Sequence, residues 1–119
     1  MKLTEPQWAL MEVLWSGDCF SLKEITAALK GVTGWNKNTV FTYLTRMAEK
    51  GIVTIDRSSD KPYRAARSRE ECARQERTDL LQRVYGGAAA DLIAAFLTES
   101  NLSAKEAARL KKLLDEMEV

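Results

Sequence analysis

The chain has 119 residues, 45% of them hydrophobic and 29% charged; this is the size and balance of one soluble domain, or of one domain with an arm that needs a partner, and it excludes a large multidomain enzyme. No stretch approaches the roughly 18 apolar residues of a membrane span, and Met1 to Pro6 run into a helix-start pattern with no apolar leader, so the chain is expected to stay in the cytoplasm. The net charge is only +1 and histidine is absent, which removes the commonest general base, the commonest zinc ligand and every Ser/His or Cys/His catalytic arrangement.

Thr4 reads as the N-cap of a first helix, with Pro6 in the first turn and Gln7 at the capping-box position. Trp8, Met11 and Trp15, flanked by Leu10 and Leu14, form one apolar stripe that stops at Ser16-Gly17-Asp18, so both tryptophans are expected to anchor a core. Ser21 and Glu24 box a second, short helix whose buried side is Leu22, Ile25, Ala28 and Leu29 and which Gly31 is expected to end.

A third helix is predicted over residues 37–50, stapled by Trp35, capped by Asn36 and closed by Gly51 at C′. Val40, Leu44, Met47 and Ala48 share its inner side; Asn38, Thr39, Thr42, Thr45, Arg46 and Glu49 share the other. Phe41 and Tyr43 flank the apolar arc and are expected to serve mainly in packing. The run Ile52 to Arg57 then has strand composition, Ser58 to Pro62 reads as a turn, and Tyr63-Arg64-Ala65 pairs back as a second strand.

Ser68 and Glu71 box a further helix carrying Leu80, Leu81, Val84 and Tyr85 up to Gly86-Gly87. Ala88 to Leu97 is apolar nearly all round, interrupted by Asp91, so more than one neighbour must cover it. The last helix opens at Ser103, with Glu106 as its capping-box partner, and aligns Ala107, Leu110, Leu113, Leu114 and Met117.

The fold class that follows is mainly α with a small β-hairpin: a winged helix-turn-helix domain over residues 1–67, then a helical dimerisation arm over residues 68–119. Charge supports this division. Between Lys30 and Arg67 eight cations meet three anions, about five net positive charges, whereas from Ser68 onward eight cations meet ten anions. A basic segment of this kind points to a polyanion partner. Asn pairs with adenine, Arg with guanine, and Thr touches thymine or phosphate, which makes Asn38, Thr39, Thr42 and Arg46 candidates for base contact. Asn36 and Lys37 lie at a helix N-terminus able to hold a phosphate, Arg57, Lys61 and Arg64 lie on the wing, and Tyr43 is the remaining DNA-binding candidate.

Three short helices bury too little surface to be stable unpartnered, so a homodimer covering Leu80, Val84, Tyr85, Leu92, Ile93, Phe96, Leu110 and Leu114 is expected. Cys19 and Cys72 stand alone, and neither a metal site, a cofactor nor an enzymatic activity is expected. Asp115, Glu116 and Glu118 read as a solvated helix end rather than a metal site. The rival to DNA binding is a winged-helix module that docks a protein.

The chain resembles the penicillinase repressor family of winged-helix regulators. The resemblance is carried by Thr4-Glu5-Pro6-Gln7-Trp8 with Met11 and Leu14-Trp15, by Trp35 to Val40 and Thr42 to Met47 leading to Lys50-Gly51, and by Tyr63-Arg64-Ala65, Tyr85-Gly86-Gly87 and Asn101-Leu102-Ser103. It implies a homodimeric repressor bound to a palindromic operator in double-stranded DNA and released by a signal. In the copper-responsive branch paired Cys-x-Cys motifs stand near the C-terminus; Leu113 to Val119 contain no cysteine, so copper sensing of that kind is not expected. In the β-lactam-responsive branch a membrane sensor protease cleaves an Asn–Phe bond in the dimerisation helices. The matching position here is Ala95-Phe96, the candidate regulatory cleavage position.

Overall fold

The computed structural model describes residues 2–117; Glu118, from the acidic helix end, and the last residue of the expected 68–119 arm lie outside the described residues. In chain order the elements are α1 (Glu5–Trp15), α2 (Leu22–Leu29), α3 (Lys37–Glu49), β1 (Val53–Ile55), β2 (Tyr63–Ala65), α4 (Arg69–Tyr85), α5 (Ala89–Glu99) and α6 (Ala104–Glu116). Three helices followed by an antiparallel hairpin make a winged helix-turn-helix, and the last three helices make the helical arm.

Compact packing divides the chain into Met1–Asp79 and Leu80–Val119. The division falls inside α4, later than the change of composition near residue 67, because the start of α4 is tied to α1: the Arg69 guanidinium meets the Glu12 carboxylate at 2.9 Å. Just before α4, the Trp15 indole N–H donates to the Arg67 carbonyl at 2.8 Å.

The helix starts follow from local chemistry. Thr4 and Gln7, then Ser21 and Glu24, form reciprocal capping boxes on α1 and α2, each replacing water on two otherwise unpaired amides. Ser68 and Glu71 do the same before α4. On α6 only half of the expected box forms: Ser103 accepts from the Glu106 amide, while the Glu106 carboxylate takes the Ser103 hydroxyl.

The core of the first unit gathers Leu10, Met11 and Leu14 of α1, Ile25 and Leu29 of α2, and Val40, Leu44 and Met47 of α3, all essentially inaccessible, with Leu3, Ile52, Val53 and Tyr63 closing it. Each such side chain contributes about 1.5–3 kcal/mol by leaving water. Ala28, expected inside, is exposed. Both tryptophans of α1 sit at the rim rather than in the centre, half-buried and edge-to-face with ring centroids 5.6 Å apart.

Two backbone details differ from expectation. α2 does not end on a left-handed Gly31; the amides of Val32, Thr33 and Gly34 all turn back to the Leu29 carbonyl, and the positive φ is at Gly34. Phe20, between α1 and α2, exchanges both backbone hydrogen bonds with Tyr63 at 2.8 and 3.0 Å. β2 is thus flanked by β1 on one side and a single bridging residue on the other, which ties the wing to the helical core.

Candidate nucleic-acid interface

The helix that carries the polar face is built to a defined start and stop. Asn36 caps α3 by accepting the Thr39 amide at 2.9 Å. Gly51, at φ 78°, ends it: its amide reaches the Ala48 carbonyl and the Ile52 amide reaches that of Met47, both at 3.0 Å. These two bonds form a Schellman motif, and the buried Ile52 supplies its apolar contact. The entry is held by an aromatic pair, Trp35 and Tyr43, stacked with centroids 4.1 Å apart.

With Val40, Leu44 and Met47 buried, the opposite side of α3 faces solvent. Lys37, Asn38, Thr42 and Arg46 are exposed; Thr39 and Tyr43 are half-buried. Asn36 is exposed, but its side-chain carbonyl is engaged in the cap. Thr42 and Thr45 donate their hydroxyls to the carbonyls of Asn38 and Phe41 at 3.0 and 2.9 Å. Phe41, placed by pattern at the flank of the core, is 44% exposed.

β1 packs against α3 and pairs with β2 in the register Val53 with Ala65, Thr54 with Arg64 and Ile55 with Tyr63. The loop between them is ordered by Asp56, whose carboxylate accepts from the Ser58 hydroxyl at 2.6 Å and the Ser58 amide at 3.1 Å. Those bonds, with the nearby Arg64 charge, hold the Asp56 carboxyl below its ordinary range. Of the wing cations, Arg57 and Arg64 are exposed and make no ion pair among the described residues. Lys61 is different: its ammonium lies 3.4 Å from the Glu24 carboxylate of α2. The Ser21 amide, chiefly, and Lys61 hold the Glu24 carboxyl low.

Among the described residues of the second unit no side chain is fully buried. Leu80, Tyr85, Leu92 and Leu110 are half-buried, while Val84, Ile93, Phe96 and Leu114 remain 45–58% exposed. Leu97, Leu113 and Met117 are similarly open; they were missing from the expected interface although Leu113 and Met117 stand in the α6 stripe. These exposed apolar side chains are spread over all three helices of the arm.

The penicillinase repressor family matches the chain over residues 3–116. This chain belongs to that family. Among its relatives, the methicillin resistance regulatory protein MecI of Mammaliicoccus sciuri and that of Staphylococcus aureus strain N315 are each 23% identical over 117 residues, covering 96% of this chain and 94% of the relative. The penicillinase repressor of Staphylococcus aureus is 21% identical over 118 residues, covering 98% and 94%. Membership makes the chain one of a family of DNA-binding transcriptional repressors.

Ala95 and Phe96 lie in mid-helix on α5, with the Ala95 carbonyl accepting from the Thr98 hydroxyl and the Phe96 carbonyl from the Ser100 amide. Among the described residues no group of three or more His, Cys, Asp or Glu is placed to hold a metal ion, and no single helix is long and apolar enough to cross a membrane.

Proposed function

We propose that this protein is a homodimeric transcriptional repressor that binds a palindromic operator in double-stranded DNA. α3 enters the major groove, where Asn38, Thr42 and Arg46 contact bases; Lys37, Arg57, Lys61 and Arg64 hold the phosphates. Asn36, Thr39 and Tyr43 serve the same interface indirectly, by capping and supporting α3. Residues 1–67 do the reading and residues 68–119 the pairing, and the protein works in the cytoplasm without metal or cofactor.

The observation that carries this reading is the exposed polar side of α3 beside a wing with two unpaired arginines, in a segment with about five net positive charges. Short polar side chains on a helix satisfy the geometry of base edges, while cations on a flanking hairpin supply affinity that is independent of sequence. Exposed Val84, Ile93, Phe96 and Leu114 support pairing of two arms. A two-fold dimer presents its two α3 helices to half-sites about 34 Å apart, or a multiple of that, which is why the operator is palindromic. Release follows from loss of the dimer. Cutting Ala95–Phe96 by a membrane sensor protease achieves it, after local unwinding of α5 presents the bond.

The test is selection of bound duplexes from a random DNA pool. Enrichment of one palindromic sequence is the expected result. Binding to all duplexes with no enrichment contradicts sequence reading, and no duplex binding at all moves the function to a module that docks a protein.

A further inference from the structure

We infer that Phe41 is a specificity-determining residue that reads the C5-methyl group of thymine in the operator. The inference rests on the proposed entry of α3 into the major groove and adds the base feature that this helix selects.

Phe41 is one of only two large apolar side chains left exposed among the described residues of the first unit, the other being Val32. An aromatic ring open to water on a surface otherwise made of Asn, Thr, Arg and Glu offers that surface its one large apolar contact. Its position names the occupant. Asn38 and Thr45 are the helical neighbours of Phe41 at spacings of three and four, so the ring stands beside them, at the edge of the side of α3 proposed to face the bases.

The threonines strengthen the case. Each hydroxyl has one proton, and those of Thr42 and Thr45 are already given to the carbonyls of Asn38 and Phe41. They bring no donor to a base edge; what they add is acceptor oxygen and a methyl group. The donors left on this side are the Asn38 amide and the Arg46 guanidinium, and along the helix axis Phe41, Thr42 and Thr45 lie between them, bringing a ring and two methyl groups. In the major groove the only apolar feature a base pair presents is the thymine methyl, and Phe and the Thr methyl are side chains that pack on it. Lys37 and Arg46, exposed on the same helix, supply the charge that brings this patch against a polyanion.

The experiment uses the full chain and the duplex enriched from the random pool, with each thymine of one half-site replaced in turn by deoxyuridine, which removes the methyl alone. Wild-type affinity is expected to fall about 3- to 10-fold at one or two positions, the scale of one or two buried methyl groups. Phe41→Ala is expected to lose that uracil penalty while keeping the salt dependence of binding, and Phe41→Leu to retain part of it; thermal unfolding of both variants shows that they are folded. Wild-type indifference to every uracil, or the same penalty in Phe41→Ala, overturns the methyl reading while DNA recognition stands. Failure of the pool to yield any sequence overturns both.

Discussion

The ring of Tyr43 lies on that of Trp35, with centroids 4.1 Å apart and planes inclined by 17°. One ring comes from the turn before α3 and the other from the middle of the helix, so the pair fixes the angle at which α3 leaves the turn. An offset stack is worth about 0.5–1.5 kcal/mol beyond the area it buries. Tyr43→Phe is expected to leave stability and DNA affinity within about twofold, because the stack survives. Tyr43→Ala should cost about 2–4 kcal/mol in chemical denaturation. A large affinity loss in Tyr43→Phe at unchanged stability would instead assign the hydroxyl to the DNA.

Arg46 and the wing arginines should separate in their effects. Arg46→Ala is expected to weaken operator binding by about 1–3 kcal/mol and random-duplex binding far less. Arg57→Ala and Arg64→Ala should weaken both alike and each lower the salt slope by about one. Anisotropy titrations on operator and scrambled duplex distinguish these patterns, and equal losses for Arg46→Ala on the two duplexes remove it from base reading.

Lys61 cannot hold Glu24 and a phosphate at full strength together, since the two anions compete for one ammonium. Glu24→Gln keeps an acceptor for the Ser21 amide but discharges the partner of Lys61. Affinity for DNA at low salt is therefore expected to rise by about two- to fivefold, with the gain fading as the ionic strength approaches about 0.15 M and exposed charges are screened. Lys61→Ala should abolish the gain in the double variant.

Stability should fall on the acid side. Glu24, Asp56, Glu70 and Glu71 all have carboxyls held below their ordinary range, chiefly by bonds to Ser21, Ser58, Arg77 and Ser68 respectively. A depressed folded-state value stabilises the fold above the unfolded value, and that contribution disappears as pH drops through the folded one. Thermal midpoints should be flat from about pH 7 to 5 and decline below about pH 4. Asp56→Asn, which retains an acceptor for Ser58, should flatten part of the decline.

Charge placed on the arm should separate the copies. Phe96→Asp or Leu114→Asp puts a carboxylate where the proposed interface excludes water, a cost that pairing cannot offset. Sedimentation is expected to show monomers, and operator affinity should drop at least tenfold, because a lone chain engages one half-site. A variant that remains dimeric with an intact operator complex places the interface elsewhere.

What the sequence makes legible is local. Thr4 with Gln7, Ser21 with Glu24, Asn36 with Thr39, and Gly51 after Lys50 all act within a few residues, so their spacing alone announces the helix ends. The buried side of α3 was equally plain from its period. Long-range pairings were not. The bridge from Phe20 to Tyr63 joins a single residue, set among polar neighbours and without a strand pattern, to a distant β2. The pairing of Lys61 with Glu24 spans 37 residues and removes one wing cation from the free set. Phe41 sits at the edge of the apolar arc, where a wheel cannot decide between core and surface, and it is found exposed. The arm stripes were visible, yet no pattern within one chain states what covers them.

The most direct test of the central claim, that two copies read DNA together, is sedimentation equilibrium of the full chain with its enriched duplex, alongside a duplex carrying one half-site. Two chains per full site are expected, with binding to the half-site at least tenfold weaker and affinity falling steeply as salt rises. One chain per site, with the half-site bound as tightly as the whole, would contradict the dimeric reading.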